Sequence, residues 1–314
     1  MASPISDPWG AILIGCFISL ILFGIILAQA VTYAQNCEKD PVWLKTFVAV
    51  LVMLDTIASS FAMAWAYQMY INGWGNMEVF AKANWLLAVD PMLVGMIACM
   101  VQLYFAGRLH IMVRNRWLTI FVIIFSIFTV LGGFAAGISI LVVKSYAGSG
   151  HGKPAGIFWQ VSTIITDITI TVSVTYHLHG RKGLYAPTDR LLDSIIQLTI
   201  QNGFLTSIVA VVDMAFYIYA PVPPHPVSNP TLASHIILFF IMPKLYANTV
   251  LSSLNARPRL RHMANATVDI SGAAFPQVST FVAVRSSEPH SPEGIDLEAD
   301  MRRDSQSLTG FERK

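Results

Sequence analysis

Residues 118–143 read LTIFVIIFSIFTVLGGFAAGISILVV, 26 positions without one charged side chain. At 1.5 Å per residue a helix of this length rises about 39 Å, more than the roughly 30 Å hydrocarbon core of a bilayer. A membrane strand would need only about ten residues of alternating polarity, and here both alternating faces are apolar. Residues 11–27, AILIGCFISLILFGIIL, repeat the pattern. Both stretches predict membrane-spanning helices and exclude a β-barrel.

Outward from these two, the same reading extends to seven stretches separated by polar connections: 10–33, 46–70, 86–107, 117–143, 155–178, 194–219 and 231–255. The chain has 54% hydrophobic and 12% charged residues and a mean hydropathy of +0.58. A soluble domain carries about a quarter charged residues. The net charge of +2 argues against a nucleic-acid partner. Ala28-Gln29-Ala30 has the small-x-small form of a signal cleavage site, but the first stretch lacks a basic leader and is too long for a signal core, so it is read as a retained helix. Three cysteines, Cys16, Cys37 and Cys99, offer no disulfide framework, and Cys37 is a membrane-proximal thiol. The expected fold is an all-α, polytopic bundle of seven transmembrane helices.

Lys and Arg then set the orientation. The connections after the first, third and fifth spans, with the start of the tail, hold eleven basic residues (Lys39, Lys45, Arg108, Arg114, Arg116, Arg181, Lys182, Arg190, Arg257, Arg259 and Arg261). The opposite set holds three, Lys82, Lys144 and Lys153. Positive residues stay in the cytoplasm, so residues 1–9 are expected outside and the C-terminus inside. The connections are too short for a folded ectodomain, and 220–230, with five prolines, reads as a stiff cap. Residues 256–314 are polar and poor in bulky side chains, the composition of a disordered cytoplasmic tail. Ser305 in Arg302-Arg303-Asp304-Ser305 and Ser291 before Pro292 are candidate phosphorylation sites there, and the Asn265 sequon is expected unmodified because it faces the cytoplasm.

Charges inside the spans are the main functional clue, since each costs about 2.5–3.5 kcal/mol at a helix centre. Asp55, Asp167 and Lys244 fall near mid-span, while Asp90 and Asp213 fall nearer the outer mouth. Helical spacing joins Gln160, Thr163, Asp167 and Thr171 in one stripe and Lys244, Asn248, Ser252 and Asn255 in another. Asp55 shares its face with Ser59, Ala62 and Ala66. These faces are expected to point inward, with Lys244 paired to Asp167 in preference to Asp55 and with Asn248 completing the network. The same residues would serve either to fix helix register or to bind a ligand or ion. Pro243 is expected to kink the last helix beside Lys244. Gly133 and Gly137 make a small-residue face suited to close packing within the bundle.

Several seven-helix classes fit poorly. Tyr104-Phe105-Ala106-Gly107-Arg108 stands where G-protein-coupled receptors carry Asp-Arg-Tyr, and of their last-helix motif only Pro243 and Tyr246 match. Lys244 resembles a rhodopsin's Schiff-base lysine, but Phe240 occupies the place of the microbial rhodopsin Asp, so no retinal or other cofactor is expected. His177-Leu178-His179 is a pair at a helix end, not a metal site, and no metal is expected. No nucleophile elbow, zinc-protease motif or phosphate loop appears, so the chain does not read as an enzyme.

One resemblance is closer. It rests on Gln29-x-x-x-Tyr33, on Gln102-x-x-Phe105-x-x-Arg108, and on Thr188-Asp189 followed by Asn202-Gly203-x-Leu205-Thr206-Ser207. Its strongest block is Lys244-Leu245-Tyr246-Ala247-Asn248-Thr249-Val250-Leu251-x-x-Leu254-Asn255-x-Arg257. On these residues the chain, from about 10 to 257, resembles a family of seven-helix membrane proteins from mushroom-forming fungi labelled only as a domain of unknown function. The resemblance implies fold and membrane placement and no activity. The residues themselves support a receptor-like or sensor-like bundle whose polar site is Asp55, Asp167, Lys244 and Asn248. A small transporter or channel using the same charges is the alternative, and a scaffold acting through its tail a third. The expected partners are the lipid bilayer, a small ligand or ion, and a cytosolic partner of the tail.

Overall fold

A computed structural model describes residues 6–38, 40–73, 84–143, 153–179, 186–219 and 230–257. These form seven α-helices: α1 (Ser6–Asn36), α2 (Val42–Tyr67), α3 (Trp85–Val113), α4 (Arg116–Val143), α5 (Lys153–His179), α6 (Ala186–Tyr219) and α7 (Pro230–Asn255). A π-helical turn, Gln68–Asn72, extends α2. No strand occurs among the described residues. The bundle lies within the compact unit Met1–Ile270, and the second unit, Ser271–Lys314, falls outside the described residues. So do residues 1–5, the proline-rich 220–229, Arg181, Lys182, Asn265, Ser291, Ser305 and the rest of the proposed tail.

All of α1 to α5 and α7 contain a segment long and apolar enough to cross a membrane. The apolar part of α6, Gly203–Tyr219, is shorter among the described residues. The helices outrun the apolar stretches read from sequence: α3 continues to Val113 and α6 begins at Ala186. Backbone hydrogen bonding does not stop where hydropathy does, and polar helix ends simply leave the hydrocarbon region. Pro243 lies within α7 and Pro91 within α3, and both helices continue through them.

Consecutive helices pack side by side, α7 closes the circuit against α1, and α3 fills the centre against α2, α4, α5 and α7. Burial follows this arrangement. Within its most apolar window α3 is 72% buried, against 28% for α1 and α4. On α4, Val122, Ser126, Thr129 and Ala136 face inward at helical spacing, whereas Ile127, Leu131, Phe134 and Ile138 are exposed. That exposed stripe, with Ile14, Phe17 and Ile21 on α1, is a lipid-facing belt. Exposed aromatics mark both rims of the belt: Trp43, Trp117 and Tyr176 at one set of helix ends, and Tyr67, Trp85 and Tyr219 at the other.

The α3–α4 contact explains the glycine face. A Cβ on Gly133 would sit 2.7 Å from the Pro91 carbonyl oxygen, and one on Gly137 would sit 2.5 Å from that of Ala88. Only glycine lets the two backbones come this close. The connection is equally tight. Arg114 takes the left-handed conformation (φ 56°) that ends α3, and Asn115 Oδ1 accepts the Trp117 N–H at 3.1 Å to cap α4.

Candidate functional site

Three polar layers cross the interior. The first joins α2 to α7. Leu44, Val48, Leu51, Asp55 and Ser59 are buried on one face of α2, so Asp55 is carried inward by the apolar residues at its helical spacing. Asp55 is 0% and Lys244 1% exposed. Lys244 Nζ donates to Asp55 Oδ1 at 2.6 Å and to the Asp55 carbonyl oxygen at 3.2 Å, and it lies 5.6 Å from the Phe23 ring centroid. This ammonium is therefore compensated by a carboxylate, a carbonyl and an aromatic face. Asp55 Oδ2 is buried without a hydrogen-bond partner. The expectation that Asp167 would be the partner of Lys244 is corrected, because the rotation of α7 turns Lys244 toward α2. Nor does Asn248 complete the pair: its Oδ1 is buried and receives no hydrogen bond.

The second layer holds Asp167. Gln102 Nε2 on α3 donates to Asp167 Oδ1 at 3.0 Å, and the Tyr246 hydroxyl on α7 donates to Oδ2 at 2.5 Å. No Lys or Arg forms an ion pair with it among the described residues. Beside this group lies a cavity of about 40 Å³ between α3, α5, α6 and α7, lined by Gln102, Asp167, Thr171, Gly203, Thr206, Tyr246 and Thr249 among others. That space is large enough for one or two water molecules.

The third layer lies toward the Trp9 end. Asp213 Oδ2 accepts from Gln160 Nε2 at 2.9 Å, and Asp213 Oδ1 lies 2.8 Å from His235 Nδ1. The Tyr217 ring packs on His235 at 4.9 Å between centroids. A second cavity, about 20 Å³, touches Gln160, Asp213 and Tyr246. Tyr246 thus borders both the cavity lined by Asp167 and the one lined by Asp213. Asp90 is buried near this end, within electrostatic reach of Lys244 and Asp55, and its Oδ2 has no hydrogen-bond partner.

At the opposite end, Arg108 Nη1 donates to Ser253 Oγ at 2.6 Å and Arg257 Nη2 to the Tyr104 hydroxyl at 2.9 Å. Arg257 also lies 3.8 Å from Asp40, which accepts from the Tyr33 hydroxyl at 3.1 Å. Asn255 Nδ2 reaches the Gln29 carbonyl at 2.9 Å. These contacts lock the ends of α1, α3 and α7 together. They also connect blocks 29–33, 102–108 and 244–257, which in the sequence are linked only by the family resemblance.

Sequence reasoning did not single out Gln102, Tyr246 or His235 as site residues. Gln102 was legible as a lone amide within an apolar span, and Tyr246 as a hydroxyl two residues from the buried lysine. His235 carried no such signal, since only the packing of α6 on α7 brings it to Asp213.

The interior has one chemical bias. Among the described residues four buried carboxylates, Asp55, Asp90, Asp167 and Asp213, face one buried ammonium, Lys244, with the His235 ring beside Asp213. Acceptor oxygens of Asp55, Asp90, Gln102, Gln160 and Asn248 are also buried without donors. A low-dielectric interior with surplus negative charge and surplus acceptors calls for a positively charged or proton-donating species.

The apolar belt and the helix lengths define a multi-pass integral membrane protein. Within it, residues 163–259, from the middle of α5 to just past α7, match a family model described as "Family of unknown function (DUF6534)". The matched segment contains Asp167, Asp213, His235, Lys244 and Tyr246, and leaves Asp55, Asp90 and Gln102 outside. No curated protein and no solved structure matches the chain.

Proposed function

We propose that the chain is a seven-span membrane protein that handles a small monovalent cation, a proton or an alkali metal ion, along its polar interior as a transporter or channel. The observation that carries this reading is the excess, among the described residues, of buried carboxylates and donorless acceptors over the Lys244 ammonium. The cavities add to it. Two of them, about 40 and 20 Å³, share Tyr246 in their linings. Both are small beside the roughly 300–1,000 Å³ of a pocket for an organic ligand and are of the size of water or a small ion. The role is non-enzymatic, because the bundle interior binds and passes an ion without changing a covalent bond.

Seven crossings follow if α6 spans as well; its 34 residues rise about 51 Å, and Phe204, Leu205, Ile208, Val211 and Val212 are exposed on it. The Arg108 and Arg257 end is then cytoplasmic and the Trp9 end outside. Extension of the family match to the full 10–257 stretch, and a fungal source, belong to the same proposal.

The test is reconstitution into liposomes, with cation and proton flux followed by entrapped dyes under an imposed gradient. Flux that Asp167→Asn and Asp213→Asn both abolish is expected. Absence of flux from folded, oriented protein would overturn the transport reading.

A further inference from the structure

We propose that the cavity between α3, α5, α6 and α7 binds one alkali cation through the Asp167 carboxylate and Gln102 Oε1, with sodium as the probe of the test. This deepens the ion-handling reading and rests on it for its biological role, but the binding itself is separately measurable.

The argument starts from Asp167. It is 6% exposed, and its partners are two neutral groups, the Gln102 amide and the Tyr246 phenol. Each carboxylate oxygen has one neutral partner, and no Lys or Arg forms an ion pair with Asp167 among the described residues. In its ionised form the acid would therefore be hydrogen-bonded without being neutralised.

Gln102 supplies the second observation. Its Nε2 is committed to Asp167, which fixes the other end of the amide as an acceptor. That oxygen, Oε1, is buried and has no donor, on a residue only 1% exposed that lines the cavity. The remaining polar lining is also oxygen, and one of these oxygens, Ser253 Oγ, accepts from Arg108 Nη1 at 2.6 Å. The Thr249 hydroxyl donates to the Leu245 carbonyl at 2.8 Å, which turns its proton to its own helix and leaves its oxygen as an acceptor. An all-oxygen, water-sized site with one carboxylate suits a hard cation.

Charge and size narrow the class. With Asp167 as the one carboxylate lining the cavity, a monovalent ion matches its charge locally. The cavity volume, about 40 Å³, is that of a small inorganic ion with water. Gly203 helps to keep it open, since a Cβ there would run into Thr171 Oγ1. Bound to residues of four helices, the ion would tie them together and raise the stability of the bundle.

The test uses the purified full-length chain in detergent. Its melting temperature is compared in sodium, potassium, magnesium and choline chlorides at equal ionic strength, alongside retention of radioactive sodium. Sodium is expected to raise the midpoint by about 4 °C over choline. Asp167→Asn should remove both the shift and the retained sodium, and Gln102→Met should raise the sodium needed for half the shift by about tenfold. Ile138→Ala, on the lipid-facing side of α4, should leave both unchanged. If Asp167→Asn fails to fold, Gln102→Met and Gly203→Ala carry the test through sodium retention per folded molecule. Equal midpoints in sodium and choline, a shift given by magnesium alone, or sodium retention that survives Asp167→Asn would each overturn the site. Sodium retention without flux would sustain this site while removing transport; proton flux without sodium retention would do the reverse.

Discussion

Lys244 and Tyr246 stand two residues apart on α7 and serve different carboxylates: Lys244 Nζ lies 2.6 Å from Asp55 Oδ1, while the Tyr246 hydroxyl lies 2.5 Å from Asp167 Oδ2. Two helical steps turn a side chain by about 200°, so these neighbours point to nearly opposite sides of α7. One helix therefore bridges α2 and α5 and keeps the charged pair apart from the uncompensated acid.

The Lys244–Asp55 pair predicts a specific mutant cycle. Lys244→Met leaves a buried carboxylate alone and Asp55→Asn leaves a buried ammonium alone, each costing about 3–5 kcal/mol. The double mutant removes both charges and should fold in higher yield than either single one. Monodisperse yield on gel filtration measures this, and a double mutant worse than both singles would refute the pairing.

Tyr246→Phe deletes one of the two donors to Asp167 and is expected to destabilise the bundle by about 1–3 kcal/mol. Because Tyr246 and Lys244 face different partners, Tyr246→Phe should add to Lys244→Met within about 0.5 kcal/mol despite their closeness in sequence. Thermal melts of the two singles and the double check this. A larger coupling would mean that the two acids form one network.

Glycines on α4 should separate sharply from one on α1. Gly133→Ala and Gly137→Ala push a methyl against α3 backbone and are each expected to cost about 1–3 kcal/mol. Gly24→Ala meets nothing within 4 Å and should cause no loss. Comparable melting temperatures for all three would show that the α3–α4 approach is looser than described.

Orientation is testable from described positions at the two ends. After replacement of Cys16, Cys37 and Cys99, a cysteine at Asn72 should react with a membrane-impermeant maleimide on intact cells, and one at Arg116 should react only after permeabilisation. Both positions are exposed, at opposite ends of their helices. The inverse pattern would place Arg108 and Arg257 outside.

The sequence by itself determined that the chain is helical and enters the membrane repeatedly, because uninterrupted apolar runs such as 118–143 leave the backbone no other way to satisfy its hydrogen bonds in lipid. It also determined which faces turn inward. Gln160, Thr163, Asp167 and Lys244 are all buried, since helical periodicity ties each to its neighbours. Depth along a span was equally legible, and depth alone made Asp55 and Asp167 equal candidates for Lys244. What decided between them was the rotation and neighbour order of the helices, set by packing such as the α1–α7 closure and the glycine-mediated contact of α4 with the central α3. Those are properties of summed side-chain volumes across the bundle, which no single span encodes. Only the tertiary structure could turn Lys244 to Asp55, give Asp167 to Gln102 and Tyr246, and bring His235 to Asp213.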